Sequence, residues 1–307
     1  MGTYILRRML QMVPVLFGAT FLVFFMVFAL PGDPVQALGG DRRLPEAVAD
    51  SIRDAYNLND PFFVQYFKYV GNALTGDLGQ SFTGRSVADI LRSSYPVTVR
   101  LALVAFAIEI VIGIGAGIMA GLRRGSFLDN LVLLSTTLAV SIPVFVLGYV
   151  AQLIFGVRLG WFPVAGINDG FMSYVMPAFV LATTSLAYAA RLLRTSLVEN
   201  LRADYVRTAT SKGLKRSRVV GRHALRNSLI PVVTFLGADL GALMAGAIVT
   251  ETIFNIPGIG NQIFRAIQAQ EGSVVVGLTT VLVIIFIIAN LIVDLLYGFL
   301  DPRIRYE

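Results

Sequence analysis

Four carboxylates lie in stretches of the sequence that are otherwise apolar, namely Glu109, Asp239, Glu251 and Asp294. A charge near the centre of a bilayer costs roughly 2.5 to 3.5 kcal/mol, so each acid needs either a partner or a task. One task is to face a water-filled path and meet the ammonium group of a passing solute. Alternatively, the acid has a partner and pairs with Arg or with backbone, at a helix end or between subunits. We favour this pairing for Glu251 and Asp294. Both interpretations stay open for Asp239 and Glu109, which are our candidates for a substrate pathway, with Asp239 first.

The other residue types argue against catalysis by this chain. It has no Cys, which excludes disulfides, thiolate metal sites and thiol nucleophiles, and its one His, His223, lies outside the apolar stretches. No apolar stretch pairs carboxylates in an arrangement typical of acid–base catalysis. A phosphate loop of the form G-x-x-x-x-G-K-[ST] is also missing from the sequence. We therefore predict a non-catalytic chain with no metal site and no cofactor of its own.

The composition predicts that lipid surrounds these stretches. The 307 residues are 56% hydrophobic and 14% charged, with a mean hydropathy of +0.73, which is more apolar than the core of a soluble domain requires. A spanning helix needs about 20 apolar residues. Six stretches meet this requirement, at residues 9–30, 99–121, 131–157, 174–193, 230–252 and 273–297. The sequence therefore predicts an all-α integral membrane protein with about six transmembrane helices.

The net charge of +6 has two explanations, nucleic-acid binding or the excess of Lys and Arg that collects on the cytoplasmic side of membrane proteins. The distribution of basic residues favours the second. With the N-terminus inside, the cytoplasmic segments hold Arg7, Arg8, Arg123, Arg124, the dense run 191–226, Arg303 and Arg305, whereas the short outer loops hold Arg158 and Arg265. We therefore expect both termini in the cytoplasm and no nucleic-acid partner.

The long segment after the first span has a helical pattern of its own. Val48, Ile52 and Tyr56, followed by Phe63, Phe67, Val70 and Leu74, repeat at helical spacing between the breakers Pro45, Pro61 and Gly76. This pattern predicts a helical cap on the outer face, which either packs on the bundle or receives a binding protein. The resulting organisation is residues 1–30 (N-terminus and first helix), 31–98 (outer helical segment), 99–297 (five-helix core) and 298–307 (cytoplasmic tail).

Within the core, residues 194–229 are too polar to span a membrane and too regularly patterned for a loop. A first helix over about 199–212 places four side chains near one face, those of Leu201, Tyr205, Ala209 and Lys212. Gly213 is suited to end that helix in a left-handed conformation. Ser217 is suited to cap a second helix running toward Asn227, with Pro231 in the first turn of the next span. The pattern predicts a cytoplasmic helix-turn-helix.

This segment resembles the permease subunits of bacterial ABC importers, in the branch for dipeptides, oligopeptides and nickel. The branch pattern is Tyr-Val-x-Thr-Ala-x-x-Lys-Gly, then His-x3-Asn-x3-Pro. It is matched by Tyr205, Val206, Thr208, Ala209, Lys212, Gly213, His223, Asn227 and Pro231. The general Glu-Ala-Ala-x3-Gly form of the wider family is matched at Ala209 and Gly213 alone.

The resemblance covers essentially the whole chain. It includes Leu30–Pro34, Asp77–Gly79 with Ser81, Pro96–Thr98, the segment Glu251–Gly260 and Asp301–Arg303. Because of the large outer segment, the chain is most similar to the B-type subunit of the branch.

The resemblance implies an ABC type I importer permease that moves di- or oligopeptides, or a related small solute, into the cytoplasm across the bacterial inner membrane. It implies that the first helix of 194–229 sits in a groove on a separate ATPase. The ATPase-coupling residues would be Asp204, Tyr205, Val206, Thr208, Ala209, Lys212, Gly213, His223 and Asn227.

The partners implied are a second homologous permease, two ATP-binding subunits or domains that hold ATP and Mg²⁺, and an extracytoplasmic substrate-binding protein. The binding protein would choose among dipeptides, longer peptides, glutathione, nickel chelates and opines.

Two alternatives remain at this stage. In the first, the chain is a self-sufficient secondary transporter or channel. In the second, the basic helix-turn-helix only lies on anionic lipid and couples to no partner.

Overall fold

The structure is a computed structural model, and it describes residues 2–28, 45–55, 59–244 and 247–300. These ranges are organised by α-helices, which confirms the predicted all-α class. The helices are α1 Gly2–Phe28, α2 Glu46–Ala55, α3 Phe62–Leu74, α4 Val87–Leu122, α5 Phe127–Ser141, α6 Val144–Arg158, α7 Met172–Asn200, α8 Asp204–Ser211, α9 Arg216–Met244, α10 Ile248–Ile253, α11 Ile259–Gln268 and α12 Gly272–Leu300. Three of them contain a π-helical segment: α4 at Glu109–Ile114, α6 at Gln152–Arg158 and α9 at Val219–Ala224.

Several predicted features lie outside the described part of the chain. They are the segments Leu30–Pro34 and Asp301–Arg303, the residue Tyr56, and the side chains of Val48, Ile52 and Asp294.

Five of the described helices, α1, α4, α7, α9 and α12, are long and apolar enough to cross a membrane. The third predicted span, 131–157, is wrong as a single helix, because α5 and α6 meet at an angle of 104°. Proline has no N–H to donate, and it disfavours the helical conformation in the residue before it. Accordingly, Ile142 (φ −92°, ψ 124°) and Pro143 (φ −56°, ψ 137°) are both extended. There are six spans only if this bent pair counts as one.

The fifth predicted span, 230–252, is wrong at both ends. Helix α9 begins at Arg216, fourteen residues earlier, and ends at Met244, while α10 is a separate short helix. The search for apolar residues missed the first turns of α9 because they carry Arg and His side chains. Pro231 therefore lies inside a continuous helix and not in the first turn of a new one.

Helix α7 forms the centre of the bundle, and glycines of α4 let the two helices approach closely. A β-carbon at Gly117 would lie 2.8 Å from the Ala190 carbonyl oxygen and 2.8 Å from the Leu193 β-carbon. One turn earlier, a β-carbon at Gly113 would lie 3.2 Å from the Leu186 carbonyl oxygen. Small residues at this spacing bring helix backbones together in membranes. This close contact determines which side chains of α4 face α7.

Helix α3 packs on α1 and α12 and so confirms a helix in the outer segment. Tyr66 is buried against Phe24, and the Tyr69 hydroxyl donates to Thr280 Oγ1 at 2.7 Å. Val70 of the predicted apolar stripe joins this contact, but Phe63, Phe67 and Leu74 are exposed. The packed face is instead the neighbouring stripe, in which two tyrosines combine apolar rings with hydroxyls that reach polar partners.

Candidate functional site

The connection from α7 to α9 folds into a short helix, α8. Helix α7 continues through Asn200, a turn follows, and α8 begins at Asp204 after an extended Ala203. The predicted first helix, 199–212, therefore starts five residues too early, because its first residues belong to α7 and the turn. The Tyr205 hydroxyl donates to Asn200 Oδ1, which ties the first turn of α8 back to the end of α7.

The buried face of α8 consists of Val206 and Ala209, which are 5% and 6% exposed. They pack with Leu197 of α7 and with Val219 and Ala224 of α9. The predicted face is partly wrong, because Tyr205 and Lys212, placed there with Ala209, are exposed. Since residues three apart lie on one side of a helix, Val206 and Ala209 form the contact and leave the opposite side free. Helix α8 is thus fixed to both neighbouring spans.

Gly213 ends α8 as predicted. Its φ is +76°, in the left-handed region that glycine enters without steric cost. The Gly213 N–H donates to the Thr210 carbonyl at 2.9 Å and the Leu214 N–H to the Ala209 carbonyl at 3.4 Å. These two bonds form a Schellman motif, and Leu214 packs against the cluster beneath α8. The chain therefore reverses tightly between α8 and α9.

The exposed side of α8 presents polar residues to its surroundings. Asp204, Thr208 and Lys212 are exposed, and the Thr208 hydroxyl donates to the Asp204 carbonyl at 2.9 Å. Eight exposed basic residues surround this side: Arg202, Arg207, Lys212, Lys215, Arg216, Arg218, Arg222 and Arg226. Such a surface favours an acidic partner or an anionic membrane surface.

The second predicted helix has its capping residue two positions before the expected one. Lys215 is the extended residue that precedes Arg216, so the prediction of Ser217 as the cap is wrong, and Ser217 lies inside α9. His223 is half-buried in the π-helical segment of α9, beside the buried Ala224, whereas Asn227, one turn further on, is exposed. The nine predicted coupling residues thus lie on α8, at Gly213 and in the first turns of α9, and we call these residues 204–227 the predicted coupling unit, or coupling unit for short. Two of the nine, Val206 and Ala209, are buried.

A buried ion pair that the sequence analysis missed braces the first turn of α5 against α7. Arg194 of α7 donates from Nε and Nη2 to the two carboxylate oxygens of Asp129 at 2.9 and 2.8 Å. Asp129 also accepts from the Gly125 N–H at 2.8 Å, and its N–H donates to Ser126 Oγ at 3.4 Å. The Ser-x-x-Asp spacing at 126–129 resembles a capping box and was the available signal.

The two predicted pathway residues meet inside the bundle. Glu109, in the π-helical segment of α4, is fully buried and faces Asp239 of α9. Asp239 is half-buried, and its Oδ1 accepts from the Ser185 hydroxyl of α7 at 2.8 Å. Ser185 lies fifteen residues before Asn200 in a continuous helix, so this pair is about 22 Å from α8 along the axis. The acidic pair and the coupling unit are separate sites connected by α7 and α9.

Glu251 has a backbone role, as we favoured, and it caps a helix. Its carboxylate accepts from the Thr98 hydroxyl at 2.7 Å and from the Asn261 N–H at 3.0 Å, in the first turn of α11. Anions are stabilised at helix N-termini by free N–H groups and the helix dipole. A β-carbon at Gly260 would lie 2.6 Å from the Ile248 Cα and 2.9 Å from Glu251 Oε2, so glycine is needed there. The segments 96–98 and 251–260 therefore form one structural unit.

Comparison with known proteins gives a consistent result over the whole chain. Residues 113–306 match the family described as binding-protein-dependent transport system inner membrane component, and residues 1–102 match the corresponding N-terminal family. The chain is 39% identical to the di/tripeptide transport system permease protein DppB of Pseudomonas aeruginosa over 336 residues, covering 100% of both chains. It is 38% identical to the oligopeptide transport system permease protein OppB of Haemophilus influenzae, covering 99% of both. It is also 37% identical to the glutathione transport system permease protein GsiC of Escherichia coli, covering 100% of both.

Proposed function

Since the chain belongs to the family of binding-protein-dependent transport system inner membrane components, we propose that it moves di- or oligopeptides into the cell with energy from separate ATPase subunits. The chain is a multi-pass inner membrane protein and the transmembrane subunit of an ABC importer. This chain changes conformation during transport, whereas ATP with Mg²⁺ is hydrolysed on the partner subunits.

The observation that carries this proposal is the position of α8. Its buried face is locked onto α7 and α9 through Val206 and Ala209, while Tyr205, Thr208 and Lys212 face outward. A partner that moves this outward face moves two spanning helices with it, because packed interiors transmit displacement with little compression. Helix α9 is continuous from Arg216 to Met244. When the ATPases close, α8 is therefore suited to transmit their movement to α7 and α9 as a rigid-body rotation of these helices.

The remaining partners and the orientation follow from the distribution of surface types. By the positive-inside rule, the basic surface around α8 supports a cytoplasmic location for this side and for both termini. The predicted outer segment, whose α3 packs on α1 and α12, is the surface that we assign to a substrate-binding protein. The described helices leave many apolar side chains exposed, among them Leu134, Phe145 and Ile292. Lipid and a second homologous permease cover these surfaces and complete the translocation path.

The substrate class follows from the names of the relatives, which transport di/tripeptides, oligopeptides and glutathione. All of these substrates carry an ammonium group and amide bonds. We place Asp239, with Glu109 behind it, beside the path for such a substrate, because a carboxylate suits a passing ammonium group. The choice among peptides belongs to the binding protein.

Single cysteines test the coupling role directly, since the chain has no Cys to remove. Thr208→Cys and Lys212→Cys place a thiol on the outward side of α8, and Asn72→Cys places one on the exposed side of α3 as the matched control. A benzophenone maleimide attached to each is activated by light in native membranes, and adducts are identified by mass spectrometry. We expect adducts with a phosphate-loop ATPase from positions 208 and 212 and none from position 72. Labelled, transport-active membranes without ATPase adducts would refute the coupling role of α8.

A further inference from the structure

The acidic pair inside the bundle has unused bonding capacity. Glu109 is 0% exposed, and neither of its carboxyl oxygens has a hydrogen-bond partner among the described residues. The same is true of Asp239 Oδ2, whereas Asp239 Oδ1 accepts from Ser185. Buried carboxyl oxygens are almost always hydrogen-bonded, because leaving one unsatisfied is costly. Three such oxygens on two facing acids form a cluster that a cation would stabilise.

The charge around the pair limits what that ligand can be. The basic residues of α7 near this level are engaged elsewhere: Arg191 lies 5.1 Å from the centre of the Tyr188 ring, and Arg194 pairs with Asp129. Helix α7 contributes the neutral Ser185, α9 contributes Asp239, and Asp239 is the charged group that acts on Glu109 within the described residues. Two carboxylates that face each other in an apolar interior cannot both stay ionised without a cation.

We propose that Glu109 and Asp239 form a proton-binding site inside the membrane, in which the two carboxyl groups share one proton. The Glu109 hydroxyl donates to Asp239 Oδ2, while Asp239 Oδ1 keeps the hydrogen bond from Ser185. One proton thus satisfies the oxygen on Asp239 that lacks a partner and removes one of the two charges. When the pair loses this proton to water, two carboxylates remain and repel each other.

The shared proton links α4 to α9 by a hydrogen bond, at the level where Ser185 of α7 also donates to Asp239. Deprotonation replaces this attraction by repulsion, so the helix contact is present at low pH and is lost as pH rises through the titration of the pair. Helix α9 is continuous from this pair to the coupling unit, and a change in the contact therefore reaches the ATPase side. This inference goes beyond the proposed function, because the proton site exists whether or not the pair touches a substrate.

Infrared difference spectroscopy of the purified complex in nanodiscs tests the site, since a protonated carboxyl has a C=O stretch separate from that of a carboxylate. We expect a protonated band at neutral pH in the wild type that disappears as pH rises. Glu109→Gln should remove this band, and Asp239→Asn should keep it but move its midpoint down by about one pH unit or more, because a like charge is gone.

Two results would overturn the proposal. The first is a neutral-pH spectrum with no protonated band that responds to Glu109→Gln. The second is loss of the band at constant pH when sodium or potassium is added, since the site would then take a metal cation in place of the proton. Both variants are nearly isosteric, and if neither assembles, the pH and cation titrations of the wild type still decide the outcome.

Discussion

Replacing Gly213 by Ala changes one backbone property of the coupling unit and little else. Gly213 has φ +76°, and a β-carbon there would have no atom within 4 Å. The cost is therefore the left-handed backbone conformation alone, about 1 to 2 kcal/mol for a residue other than glycine. This cost falls on the Schellman motif that joins α8 to α9. It corresponds to roughly a 5- to 30-fold change in the equilibrium between docked and frayed α8.

Hydrogen exchange by mass spectrometry measures this equilibrium in nanodiscs. In Gly213→Ala we expect amides of Asp204–Ser211 to exchange about 5- to 30-fold faster, because local opening is easier by the same free energy. Gly160→Ala is the matched control, since Gly160 has φ +64° with no atom within 4 Å of a β-carbon but lies outside the coupling unit. It should leave exchange in α8 unchanged. Unchanged exchange in Gly213→Ala, or equal acceleration in the control, would refute the account of how α8 is held.

Three further predictions concern the packing that supports both sites. Gly117→Ala should destabilise the purified complex by about 1 to 3 kcal/mol, because the added methyl meets the Ala190 carbonyl at 2.8 Å. Gly115→Ala, where no atom lies within 4 Å, should not lower its melting temperature, and equal effects would contradict the close helix contact. Asp129→Ala should cost about 3 kcal/mol in the same melting assay, near the lower bound for a broken buried pair because Arg194 is 20% exposed; an unchanged melting temperature would argue against the brace. Glu251→Gln should cost about 1 to 3 kcal/mol locally and speed hydrogen exchange in α11, and unaltered exchange there would remove Glu251 as the cap.

The sequence predicts this protein best where local chemistry decides the structure. The end of α8 at Gly213 follows from glycine's freedom at positive φ, and the spans follow from the length of their apolar runs. Residues 131–157 were counted as one span because hydropathy treats Pro143 as one more residue, although the geometry of proline kinks or ends a helix. The start of α9 was placed too late because Arg216 to Arg226 are polar, although they continue the same helix.

Contacts between distant segments could not be predicted in this way. Glu109 and Asp239 were each selected for lying in an apolar stretch, but their pairing depends on how α4 and α9 pack around α7. Likewise, Asp129 and Arg194 are 65 residues apart, and only the folded bundle brings them together. One-dimensional patterns show which residues need a partner but do not show which partner they find.

The central claim, that this chain transports only as part of an ATP-driven complex, is tested most directly by peptide uptake in proteoliposomes. The tagged chain is purified from native membranes either with its bound partners or alone after stripping, and each preparation is supplied with binding protein and peptide. We predict uptake by the complex that requires hydrolysable ATP and stops with a non-hydrolysable analogue, and no uptake by the chain alone under an ion gradient. Gradient-driven uptake by the chain alone, without ATP, would contradict the account and identify a secondary transporter.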